Sequence, residues 1–241
     1  MEVYIDIPKF TPTLINLKTM KKFLLLLIFL PSIFLAQNDE DTPKIKPKIY
    51  KWELGFNGGV NFTNVTGMDS INSINKFGRL YGLTVTYHFN RFFSLKGDFD
   101  FENKGWMIDD IDYNINGIDT SGGITQVLNY FDLPAFMHIG FGKKIKFDFN
   151  FGPYFGYLLN AKTINSDNQE VIIDHPSFGD FSNIDYGFIY GLGLDFILSE
   201  RISLGFDFFV EEGLKEINDQ GLKNRSLDFD FGINILLGKK K

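Results

Sequence analysis

The stretch Ser226–Leu237, SLDFDFGINILL, decides the fold. Leu227, Phe229, Phe231, Ile233, Ile235 and Leu237 fall on every second position, opposite Asp228, Asp230, Gly232, Asn234 and the exceptional Leu236. A period of two is that of a β-strand, whose successive side chains point to opposite faces. One face is greasy and the other carries two carboxylates, so the two faces must meet different surroundings.

The same alternation recurs upstream. WELGFNGGVNF sets Trp52, Leu54, Phe56, Val60 and Phe62 against Glu53, Gly55, Asn57, Gly59 and Asn61. RLYGLTVTYHF places Tyr81, Leu83, Val85, Tyr87 and Phe89 on one side, and SLKGDFDFE opposes Leu95, Phe99 and Phe101 to Lys96, Asp98, Asp100 and Glu102. NYFDLPAFMHIG, KFDFNFGPYFGYLL, DYGFIYGLGLDF and RISLGFDFF complete the set, giving eight strands of roughly 9–11 residues, the length that crosses a bilayer when tilted. Strands of soluble proteins average about five or six. The connections alternate too. Asn90-Arg91, Gly142-Lys143-Lys144 and Ser199-Glu200-Arg201 read as tight turns, whereas the regions near 64–76, 103–124, 161–184 and 212–224 are long. Short turns at one end and long loops at the other mark an up-and-down outer-membrane barrel. The expected fold is therefore all-β: an eight-stranded antiparallel transmembrane β-barrel, apolar outside and polar within, with both termini in the periplasm. Closed barrels satisfy every backbone group inside hydrocarbon. A soluble lipocalin-like barrel would carry the same alternation turned inside out, around a ligand cavity. A two-layer sandwich would have shorter strands and less regular turns.

The N-terminal region fits export. MKKFLLLLIFLPSIFLAQ, Met20–Gln37, has a basic start at Lys21 and Lys22, an apolar run from Phe23 to Leu30, and Ala36 before Gln37. This is the pattern of a secretory signal peptide. A transmembrane helix would need about 20 apolar residues without the interruption at Pro31. The domain reading is accordingly 1–19 as a mis-assigned start, 20–36 as the signal peptide, 37–50 as a flexible polar leader in the periplasm, and 51–241 as the barrel. Removing residues 1–36 leaves 20 basic and 28 acidic residues, a net charge of −8. No basic field exists to attract nucleic acid. The chain has no Cys, which excludes disulfides, cysteine zinc sites, thiol catalysis and a lipoprotein anchor.

The sequence resembles the PorT-like family of outer-membrane β-barrel proteins of Bacteroidetes. The resemblance runs from about Trp52 to Gly238 and is carried by WELGFNGGVNFTN, by YFDLPAFMHIGFG with its aromatic-x-x-Leu-Pro core at Tyr130–Pro134, and by FNFGPYFGYLL and DYGFIYGLGLDF. It implies an outer-membrane location and a barrel fold. For some members it also implies a part in secreting proteins to the cell surface and in gliding.

Residues with reactive side chains form no recognisable catalytic pattern. His88 and His138 fall on inward faces of the second and fourth strands, and His175 falls in a long loop. Ser94 and Ser203 lie near strand ends, outside any nucleophile motif. Asp112, Asn114, Asn116 and Gly117 match the first half of a calcium loop, but the twelfth position is Gly123 instead of Glu. Asn116-Gly117 is instead the favoured two-residue turn of a hairpin, here rising above the membrane over 107–123. The inward face gathers Asp98, Asp100, Glu102, Asp148, Asp195, Asp207, Asp228 and Asp230. These acids are expected to pair with Lys96, Arg201 and neighbours and to plug the lumen. A narrow cation channel is the competing reading. Neither catalysis nor a cofactor or metal is expected. The partners implied are the outer-membrane lipid and proteins met at the surface loops or periplasmic rim.

Overall fold

The computed structural model describes residues 50–67, 73–115, 118–173 and 178–238. The expected start, the signal peptide, the leader up to residue 49, His175 and the Asn116-Gly117 pair lie outside the described residues. Eight antiparallel strands close into one barrel: β1 (Trp52–Thr66), β2 (Ile74–His88), β3 (Phe93–Ile115), β4 (Ile118–Gly142), β5 (Ile145–Asn165), β6 (Ile184–Ile197), β7 (Ile202–Gly213) and β8 (Lys223–Leu237). Closure comes from β1 pairing with β8, from Trp52↔Leu237 up to Thr66↔Lys223. Among the described residues no helix is long and apolar enough to cross a membrane. The strands do the crossing.

Exposure shows which surroundings each face meets. Phe229 is 47% exposed and Asp228 3%; Phe56 is 59% and Asn57 6%. The apolar face looks outward on every strand and the carboxylates look in. This excludes the soluble barrel with an apolar interior at this level of the wall. The outward rings pack against one another at a tilt across strands. Phe206 meets Phe231 at 5.0 Å, Phe208 meets Phe229 at 5.0 Å, and Phe101 meets Phe131 at 5.3 Å. Cross-strand aromatic pairs of this kind add to sheet stability.

Strand length departs from expectation. Instead of about ten residues, β3 has 23, β4 25 and β5 21. The regions 103–124 and 161–165, read as loop, are mostly ladder. The 107–123 hairpin is present, with Ile115 paired to Ile118 across a two-residue connection. On β3 the outward apolar run covers Phe93 to Phe101. At about 3.3 Å per residue and a tilt of about 40°, that is roughly 20 Å, close to the apolar band of an outer-membrane barrel. By the same estimate β4 rises roughly 60 Å, so the upper parts of β3, β4 and β5 stand clear of hydrocarbon.

The face pattern inverts at that boundary. Below it, β3 points Phe99 and Phe101 out and Asp98, Asp100, Glu102 and Lys104 in. Above it, Asn103, Met107 and Asp109 point out while Trp106 and Ile108 are buried within. On β4, Phe131 gives way outside to Asn129 and Thr125, and Asp132 gives way inside to Leu128 and Ile124. The inversion leaves the strand phase unchanged; the chemistry at each face changes because the outer solvent does. A one-residue bulge marks the level, where β2–β3 pairing passes from Leu80↔Glu102 to Asn75↔Trp106. Gly105 sits there at φ +133°, and a Cβ on it would lie 1.9 Å from the Gln126 carbonyl oxygen.

Candidate functional site

The lumen is a stack of layers. At the mouth near the short turns, His88 Nδ1 lies 2.7 Å from Ser94 Oγ and His88 Nε2 lies 3.4 Å from Glu53. Beside them on β4, His138 Nδ1 is 2.8 Å from Asn150 Oδ1, and Asn150 Nδ2 donates to Asp148 at 2.7 Å. Both histidines thus occupy the inward faces expected of them, and strand register joins His88 to Ser94 and Ser94 to His138. The Ser–His–carboxylate sequence resembles a triad in order alone. Ser94 is buried, and the adjoining cavity has space of about 30 Å³, enough for water and too small for an acyl substrate. Ser203 is buried on β7, opposite Asn234 of β8.

One layer further in, the Lys96 ammonium lies 3.3 Å from Asp207 and 3.9 Å from Asp98. It rests against Phe136 and Phe209, whose rings stack at 5.1 Å. Above this pair Asn57 Nδ2 donates to Asp100 at 2.9 Å, and Asn61 Nδ2 to Glu102 at 2.7 Å. The remaining cavity here is about 20 Å³, room for about one water.

The next layer centres on Lys104. Its ammonium is 3.0 Å from Asp132 and 3.4 Å from Glu102, is paired closely with Glu211, and lies 4.7 Å from the Tyr154 ring centroid. Oxygens of Glu102, Asp132 and Glu211 come within 4.8 Å of one another, a spacing suited to a metal ion. The lysine ammonium is the cation that this set holds. Beyond it, Tyr154 Oη and Asn224 Nδ2 donate to Asp185 at 3.1 and 2.7 Å.

The outermost layer is apolar. Trp106, Ile124, Leu128, Ile217 and Leu222 are buried, and Val171, Ile173, Phe178 and Phe181 fold in from the β5–β6 loop to join them. Phe178 and Phe181 lie 6.0 and 5.9 Å from the Trp106 ring. Together with the Phe136–Phe209 pair, these layers close the lumen.

The eight acids expected inside are inside, and Lys96 pairs with two of them. Arg201 does not. It lies in the β6–β7 turn with its guanidinium 5.5 Å from the Tyr50 ring, because a turn residue at the rim cannot reach down the lumen. Its expected role falls to Lys104, which sequence reasoning placed in a loop. Glu53, Asp132, Asp185 and Glu211 were also missed as lumen acids. Their signal was the inward phase of strands already assigned, simply continued.

A closed eight-stranded barrel with a lipid-facing apolar belt and a polar, packed lumen defines a small outer-membrane barrel. The chain belongs to the outer membrane protein beta-barrel domain family, whose model matches residues 35–219. It is a protein of the outer membrane of a Gram-negative bacterium. No curated protein matches it. Among solved structures it is similar to Neisserial surface protein A, at 11% identity over 77% of this chain and 97% of that one, TM-score 0.48. It is also similar to OprG of Pseudomonas aeruginosa, at 12% identity over 79% and 98%, TM-score 0.44. A third is Ail of Yersinia pestis, at 14% identity over 76% and 99%, TM-score 0.39.

Proposed function

We propose that the protein is a non-enzymatic interaction barrel, which uses the membrane-spanning part as an anchor and the part above the membrane as a platform for partner proteins. The observation that carries this reading is the closed outer end. Residues of two long loops are spent on a packed core with Trp106 at its centre, where a pore would keep a polar passage. The extended β3–β4 hairpin above that core offers exposed ladder to a partner. On the same reading the protein is a PorT-like barrel, supported by the strand sequences quoted above, and a part in moving proteins to the cell surface is what that resemblance implies. The competing channel reading draws on the acid-rich inner half of the lumen.

Two measurements separate them. In planar bilayers the purified barrel is expected to give no steady conductance. Shortening the 107–123 hairpin is expected to leave heat-shifted gel mobility intact while removing cross-links to surface proteins in whole cells. Steady conductance abolished by Asp228→Asn and Asp230→Asn would reverse the assignment in favour of the channel.

A further inference from the structure

The wall of the barrel carries a groove on its outside, directly above the lipid belt. An outward aromatic row, Tyr81, Phe101, Phe131 and Tyr157, is set side by side on β2 to β5, with Phe77 higher on β2 at the edge of the groove. The next outward row is Asn103, Asn129 and Asn160. Asn103 Nδ2 donates to Asn129 Oδ1 at 2.5 Å, and Asn129 Nδ2 donates to Asn160 Oδ1 at 2.6 Å. Above this amide chain opens a groove of roughly 530 Å³, within the size range of small-molecule sites. Val127 forms its floor, Thr125 adds a hydroxyl, and Lys76 and Lys162 flank it.

Lys76 is the unusual member. It belongs to the inward phase of β2 and is 5% exposed, yet its ammonium donates to the Asn103 side chain and, at 3.1 Å, to the Asn103 carbonyl. The bulge between β2 and β3 falls at this level, and it brings a cation from the inward phase to the groove on the outer wall. Lys162 is exposed on the outward face of β5, paired in register with Val127. Arg79 is exposed between Phe77 and Tyr81 on the outward face of β2. Among the described residues no carboxylate lines the groove; the first acids on this stretch of β3, Asp109 and Asp110, come above Met107.

We infer that this groove binds the phosphorylated sugar headgroup of an outer-leaflet glycolipid. Three features select that occupant. The groove stands at the level where hydrocarbon ends, on the side away from the termini and short turns, which is the outer leaflet. Its charge is positive, with ammonium groups suited to phosphate. Its remaining polar surface is amide and hydroxyl, which matches sugar hydroxyls, and the aromatic row below continues into the acyl region. The acyl chains would lie along Phe101 and Phe131 while the phosphate meets Lys76 and Lys162. This site meets the base of the partner platform at Met107 and does not rest on the closure of the lumen.

The test is native mass spectrometry of the folded barrel released from a neutral detergent, titrated with lipid A. Wild type is expected to retain lipid A as a one-to-one adduct and to lose it, at least about tenfold, when the lipid phosphate is removed enzymatically. Lys162→Met, at an exposed position that folding does not need, should weaken retention several-fold. Lys76→Met with Lys162→Met should weaken it further, with heat-shifted mobility reporting that the double variant is folded. Lys51→Gln, at the opposite end of the barrel, should retain lipid A as wild type does. Equal retention of the dephosphorylated lipid, or undiminished retention by Lys162→Met, overturns the inference. Inorganic phosphate binding as tightly as lipid A would overturn the lipid assignment.

Discussion

The lower and upper parts of β3 differ in what each face meets. Between Phe93 and Phe101 the outside is aromatic and the inside charged. Between Asn103 and Asp109 the outside carries Asn103, Met107 and Asp109 and the inside holds Trp106 and Ile108. One strand, with unbroken alternation, serves as membrane barrel below and as soluble barrel above. The rule that apolar groups leave water operates in both parts. Below, lipid surrounds the wall and the small lumen is where polar groups can pair. Above, water surrounds the wall and the lumen becomes an ordinary dry core. Lys104 and its three carboxylates sit at the join, with Asp185 and its two donors between them and the apolar layer.

The largest effect is therefore expected at that join. Lys104→Met leaves Glu102, Asp132 and Glu211 facing one another without their cation. Breaking a buried ion pair from one side costs about 3–5 kcal/mol. That is a large share of a typical stability of about 5–15 kcal/mol. Urea unfolding in lipid vesicles, followed by tryptophan fluorescence, would read it. Adding Glu102→Gln, Asp132→Asn and Glu211→Gln to the same chain should restore most of the loss, since a fully neutral layer has no uncompensated charge. If the single variant is as stable as wild type, the layer is not a closed ion cluster, and the two halves of the lumen are not joined as described.

Next comes the lipid face. Phe99 is 48% exposed, outward and near the middle of the apolar run of β3. Phe99→Arg puts a cation near the bilayer midplane, at a cost of about 2–4 kcal/mol. Phe229→Arg on β8 should behave alike. Both should assemble poorly, seen as loss of the heat-shifted band and as a lower urea midpoint. Asp228→Asn, one residue away on the inward face, should assemble almost normally.

The lower half was legible in the sequence because a period of two with aromatic residues outside recurs eight times. Tight turns at Asn90-Arg91 and at Gly142-Lys143-Lys144 fixed its ends. The upper half was hidden for a physical reason. In KGWMIDDIDYN the outward positions are Gly105, Met107 and Asp109 and the inward ones Trp106 and Ile108, so the greasy positions switch to the other parity. A reading that follows one greasy face sees the pattern fail at Asn103 and declares a loop. Lys104 was lost with it, and Arg201 was put in its place for its charge alone. The loop residues Phe178, Ile217 and Leu222 carry no periodic signal, and only the assembled barrel shows what they cover. The Asn103–Asn129–Asn160 row was equally unreadable, because it is made by register across three strands.

The smallest expected effect is the most discriminating. Met107 lies on the same strand and the same outward face as Phe99, eight residues higher and above the bulge. If the wall above the boundary meets water, Met107→Arg places a long cation where it stays hydrated, with its stem lying along apolar surface. The change should then fall within about 0.5 kcal/mol, as for surface substitutions elsewhere. If lipid reached this level, the same substitution would cost on the scale of Phe99→Arg. The comparison holds the introduced residue, the strand and the face constant and varies the height. Equal urea midpoints for Met107→Arg and wild type, beside a clear loss for Phe99→Arg, would place the edge of the hydrocarbon between them, at the asparagine row. A matched loss in both variants would move the edge above Met107, put the groove inside the hydrocarbon, and leave the buried Trp106 and Ile108 without water outside the wall to account for them.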